Sequence, residues 1–212
     1  SVDIFSDEYL DKINAIQLPN TKIKVLQRLL SQAIDEYKKV NRIMGMEFSD
    51  RLKRVVDEYN NRRRDEAFAN EVLDDVAEQL AKLLEELKKE KDSFKGMGID
   101  YEEKAFYDIL IALRDQYNFE YGVDEQKDGV IINNKCKILA QKVKEIIDTK
   151  SSFADWLNNE NVRNQLKLDI KICLVKNGYP PQYSPEVFSK VMEQVENFEE
   201  NVNLPNVDNI LQ

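Results

Sequence analysis

With 40 acidic residues and no histidine, the chain has a narrow range of chemistry open to it. Losing histidine removes the commonest general base, the Ser-His and Cys-His dyads, and every histidine-containing metal site. Carboxylates remain, and they can hold Mg²⁺ or Mn²⁺ unaided, so an all-α hydrolase with acidic metal ligands is one reading. The acidic residues, however, come as doublets such as Asp74-Asp75, Glu102-Glu103 and Glu199-Glu200. Neighbours on a helix point about 100° apart, so a doublet does not converge on one ion, and solvated helix faces are the plainer expectation. Cys136 and Cys173 form neither a redox pair nor enough ligands for zinc; they read as two small buried thiols of a reducing cytosol. Gly96-Met97-Gly98 lacks the rest of a phosphate-binding loop and reads as helix punctuation. No catalytic residue, cofactor site or metal site emerges from these types and spacings.

Two basic groups could meet a nucleic acid backbone: Arg62-Arg63-Arg64, between the third and fourth predicted helices, and Lys88, Lys89, Lys91 and Lys95 at the end of the fourth. Against them stands the overall balance, 31 basic to 40 acidic residues and a net charge of −9, which repels a polyanion. A solvated linker and lysines that compensate a helix dipole account for both groups without DNA. Trp156 is a candidate anchor for a protein partner, because tryptophan is enriched at interface hot spots; packing against the start of the seventh predicted helix is the plainer expectation.

The elements that must position these residues are helices. Hydrophobic residues make up 42% of the chain, enough for a core, while only 6 Gly and 5 Pro argue against a fold of many short strands. No window is long and apolar enough to span a bilayer, and Ser1 to Asp3 begin no secretion signal, so a cytoplasmic protein is expected. The first residue is not Met, which suggests a processed product or a piece of a longer protein.

Periodicity predicts a short helix between Asp3 and Ile16, then a second from Asn20 or Thr21 to about Arg42. The second carries Ile23, Leu26, Leu29, Leu30, Ile34 and Tyr37 on one face. Gly45 marks a break, and Ser49 caps a third helix. Val72, Val76, Leu80, Leu83, Leu84 and Leu87 stripe a fourth, from about Glu66 to Ser93. Asp100 with Glu103 begins a fifth as a capping box. From Tyr117 to Asn133 the pattern fails, giving a long loop with Val130 to Ile132 as a short extended piece. A sixth helix spans about Asn134 to Lys150, a seventh Asn159 to Asn177, and the last opens at Ser184-Pro185. The expectation is an all-α, irregular bundle of about eight helices with one long loop near residues 117–133. It forms a single helical domain over residues 1–212, with 203–212 a flexible tail.

Particular strings then raise a family. Tyr59-Asn60-Asn61-Arg62, Glu102-Glu103-Lys104-Ala105-Phe106-Tyr107-Asp108, Asp155-Trp156, Asn161-Val162-Arg163 leading to Leu166, and Lys176-Asn177-Gly178-Tyr179-Pro180 occur in order. Together they resemble the C-terminal helical region of type I restriction enzyme R subunits over roughly Phe48 to Phe198. The seventh helix departs from that pattern, being less basic at Leu168, Asp169 and Cys173. The resemblance implies a parent with a nuclease domain and two ATP-hydrolysing motor domains. This part would be a non-catalytic docking module that helps attach the motor to the methyltransferase core of M and S subunits. It implies no cofactor, metal or small-molecule substrate for this part, with Trp156 and Tyr179 as candidate partner contacts. The alternative reading is a helical module that contacts the DNA backbone beside the motor through Arg62, Arg63 and Arg64 and the cluster of Lys88, Lys89, Lys91 and Lys95.

Overall fold

The computed structural model describes the backbone of residues 3–64, 70–150 and 159–203, and the side chains of residues 3–61, 72–150 and 159–202. Among these are eight α-helices and one small antiparallel hairpin, so the fold is mostly helical as the periodicity predicts. The chain divides into two compact units. One comprises Ser1–Lys38 and Gly45–Ser93; the other comprises Lys39–Met44 and Phe94–Gln212.

The first unit is built from α1 (Asp7–Asn14), α2 (Pro19–Val40, as far as Lys38), α3 (Arg42–Arg64, from Gly45) and α4 (Asn70–Lys91). Ser6 caps α1 by accepting from the Tyr9 amide, and Pro19 opens α2. The stripe predicted for α2 is buried throughout, and it faces a core that includes Phe48, Leu80, Leu84 and Leu87. The predicted break at Gly45 is not there. Gly45 and Ser49 both lie inside α3, and α2 ends at Val40 instead. Gly45 is a close-approach residue: a Cβ at this position would stand 2.6 Å from the Lys38 Cα. Arg62 to Arg64 likewise close α3 and do not lie in a linker, although their side chains fall outside the described residues.

The second unit holds α5 (Tyr101–Gln116), β1 (Asp124–Lys127), β2 (Val130–Asn133), α6 (Asn134–Lys150), α7 (Glu160–Lys176) and α8 (Pro185–Phe198). A π-helical turn, Glu199–Asn203, follows α8. The Asp100/Glu103 capping box forms as expected, and Asn159 and Ser184 cap α7 and α8. The region expected as one long loop contains the hairpin. Asp128 and Gly129, with φ of 52° and 79°, make the two-residue turn whose positive φ values match the twist of paired strands. Asp124 then pairs with Asn133, and Lys127 with Val130.

The break between α2 and α3 belongs to this second unit, and side chains from far along the sequence satisfy its backbone. Gln194 of α8 donates to the Val40 carbonyl at 2.8 Å and accepts from the Arg42 amide at 3.1 Å. Asn41 accepts from the Met44 amide and donates to Asp108 at 2.8 Å, where Lys104 also contributes a 2.6 Å ion pair. These polar groups sit beside the core of Phe106, Leu110, Leu139, Val143, Leu174 and Val191. Of the acidic doublets, Asp74 and Asp75 are solvated as expected, but Glu199 is fully buried. No described helix is long and apolar enough to cross a membrane. The residues predicted as a tail lie outside the described set from 204 onward.

Candidate functional site

The concave feature of the second unit is made by the way α7 ends. Gly178, with φ of 70°, follows the last helical residues; its amide donates to the Val175 carbonyl, and the Tyr179 amide donates to that of Leu174. That pair of bonds turns the chain back on its helix and drives the next side chain onto the helix's last turn. Tyr179 is accordingly fully buried. Its ring meets Phe119 and Tyr121 edge-on, at centroid distances of 5.3 and 5.0 Å, and its hydroxyl donates to the Leu110 carbonyl at 2.8 Å. The Tyr121 hydroxyl in turn donates to the Asn177 carbonyl at 2.7 Å. Burial raises the pKa of both phenols, that of Tyr121 to about 12, so both hydroxyls stay protonated as donors. Tyr179, expected as a partner contact, is thus a structural centre with no surface to offer.

What this knot positions is a cleft of about 630 Å³. Tyr117, Phe119 and Glu120 form one wall; Pro180, Pro181 and Tyr183 form the other. Tyr183 is 68% exposed, and the Lys171 ammonium lies 5.4 Å from its ring centroid and 5.3 Å from that of Phe188. Such a lining offers aromatic faces and few ionisable groups, so it suits binding better than bond-breaking.

Elsewhere the candidate chemistry disperses. Cys136 is buried and Cys173 half-buried, and both are free thiols. Burial pushes the Cys136 thiol up to about 12 and raises that of Cys173. Among the described residues no three of His, Cys, Asp and Glu come together as a metal-binding group. Lys88 pairs with Asp7, and Lys91 lies over the Phe5 ring at 4.6 Å with its charge disfavoured by burial, so these two lysines are engaged within their own unit, while Lys89 is exposed. Trp156 lies outside the described residues.

Comparison with known proteins adds what geometry alone does not name. A family model described as "Type I restriction enzyme HindI endonuclease subunit-like, C-terminal" matches residues 1–201. The chain belongs to this family. It is 25% identical over 203 residues to the type I restriction enzyme HindI endonuclease subunit of Haemophilus influenzae, covering 95% of this chain and 17% of that protein. A Methanocaldococcus jannaschii protein named for the MjaIXP type I restriction enzyme endonuclease subunit is 24% identical over 179 residues, covering 84% of this chain and 15% of its own length. The chain therefore spans about a sixth of the length of these relatives. No solved structure matches.

Two of the strings that carry the resemblance fall on structural joints. The string that begins at Glu102 lies on α5 and includes Lys104 and Asp108. The one ending in Gly178-Tyr179-Pro180 is the turn that builds the cleft. The sequence-based reading missed Tyr183, Lys171 and the aliphatic face of α7. A signal was present: Leu168, Ile172 and Val175 recur at helical spacing on a different face from Leu166, Ile170 and Leu174.

Proposed function

We propose that this chain is a non-catalytic docking region of a type I restriction R subunit, attaching the ATP-dependent motor and nuclease to the methyltransferase core of M and S subunits in the cytoplasm. The observation that carries the reading is where apolar surface is left open. Among the described residues the exposed large hydrophobics, apart from Leu18 and Met46, all belong to the second unit: Val123, Val130 and Ile131 on the hairpin, Ile138 on α6, and Leu168, Ile172 and Val175 on α7, with Tyr183. Grouped apolar surface of this kind marks contact with another macromolecule. Family membership supports a partner of this class, since a restriction endonuclease subunit works within a multisubunit enzyme. Docking of this kind calls on no cofactor or metal.

The test is assembly. An R subunit lacking this region should fail to co-purify with its M and S subunits while retaining ATPase activity. Undiminished assembly would overturn the reading.

A further inference from the structure

The second unit carries two kinds of surface that its own fold does not use, and they coincide on α7. Leu168, Ile172 and Val175 are 48%, 41% and 56% exposed. Steps of four and three residues put them on one helical face, with Lys171 between them. Among the described residues Lys171 meets the rings of Tyr183 and Phe188. Lys142, from α6, reaches the Asn177 side chain at 3.1 Å, and Lys176 ends the helix. In a chain with nine more acidic than basic side chains, none of these three lysines has a carboxylate within ion-pairing distance among the described residues. Lys150 and Lys167 of the same region do find Asp169 and Glu196. At one end the face continues through Lys171 into Tyr183, which is also a wall of the cleft.

From this we infer that the outer face of α7, with Tyr183 and the adjoining cleft, is the contact surface for an amphipathic helix whose apolar stripe is flanked by carboxylates. The inference rests on the docking reading and names its surface and the chemistry of its occupant. Charge complementarity decides between occupants. A two-fold contact with a second copy of this chain would set one lysine-bearing face against another of the same charge. A nucleic acid would use the lysines but leave three aliphatic side chains against phosphates. An acidic amphipathic helix uses both, the aliphatics for buried area and the lysines for approach and register.

The experiment measures binding of the purified M–S assembly to the 212-residue chain by biolayer interferometry, at several salt concentrations. Ile172→Asp with Val175→Asp should weaken binding about tenfold or more, as expected for the centre of an interface. Lys171→Glu with Lys176→Glu should slow association and flatten its salt dependence. Ile131→Asp on the hairpin, a side chain more exposed than either, should change neither. Circular dichroism melts should be unaltered, since every substituted side chain is solvent-facing or half-buried.

If the unaltered chain binds and the α7 variants bind equally well, the surface assignment is overturned and the docking reading stands. If the unaltered chain does not bind, both fall. Two further results would overturn the assignment: concentration-dependent dimerisation abolished by Ile172→Asp, or duplex DNA binding lost with the lysine reversals and kept with the aspartates.

Discussion

Arg114, at the end of α5, holds Asp124, the first residue of the hairpin, with Nη1 and Oδ1 2.6 Å apart. Asn133, paired with Asp124 across the hairpin, donates to the same oxygen at 3.0 Å. One carboxylate thus ties the two-stranded sheet to the helical core.

That tie gives the hairpin a pH dependence. The Arg114 hydrogen bond is the main reason the Asp124 carboxyl is held below the usual carboxylate range, with Asn133 adding to it and partial burial opposing it. A depressed folded-state value means that the stabilisation is complete above the unfolded value of about 4 and is lost as pH falls through the folded one. Amide protection of Val130 to Asn133 should be level from pH 7 to 5 and decline below about pH 4. Asp124 is 41% exposed, so screening limits the effect to under about 1 kcal/mol, and Asp124→Asn should remove the acid-side decline. Protection independent of pH in the unaltered chain would contradict the assignment.

Asn133 should be far more sensitive. It is fully buried, donates to the Tyr121 carbonyl at 2.7 Å, and accepts from the Cys136 amide at 2.9 Å as the cap of α6. Asn133→Ala loses the cap and strands buried polar groups, so denaturant unfolding should show a loss of about 2–3 kcal/mol.

Gly45→Ala ought to stabilise a helix by about 1 kcal/mol on propensity alone. Here the added methyl meets the Lys38 Cα, a backbone atom that cannot swing aside. A net loss of about 1–3 kcal/mol is expected, read as a lowered melting temperature.

Tyr179 separates structure from recognition. Tyr179→Phe should cost about 1 kcal/mol through the lost bond to Leu110, and Tyr179→Ala about 3–5 kcal/mol through the emptied core. Partner affinity per folded molecule should be unchanged in the phenylalanine variant.

Thiol labelling reports on the same core. With its thiol pushed up to about 12 and no exposed surface, Cys136 should resist a disulfide reagent at pH 8 until denaturant is added. Half-buried Cys173 should react first.

Local rules made most helices legible. Asp100 with Glu103, Asn159, and Ser184 with Pro185 announce helix starts through interactions three residues long. Asp128-Gly129 was an equally local signal for a hairpin turn. The break at Asn41 was not legible, because what satisfies it is Gln194, 152 residues beyond Arg42. The site was harder still. Tyr179, expected as a partner contact, is turned inward by Gly178. Spacing within α7 shows two apolar faces, Leu166, Ile170 and Leu174 against Leu168, Ile172 and Val175, but which of them other helices cover is decided by tertiary packing.

The six residues from Lys39 to Met44 fold with a body whose remaining sequence starts only at Phe94. Neither unit is therefore one uninterrupted stretch of polypeptide. On a ribosome the Val40 carbonyl and the Arg42 amide must wait for α8 to emerge before they gain their Gln194 partner. A truncation starting at Phe94 would take Gln194 and Asp108 away from the backbone and side chain they bind. An excised fragment of this protein therefore keeps α1 to α8 together and is not cut between the units.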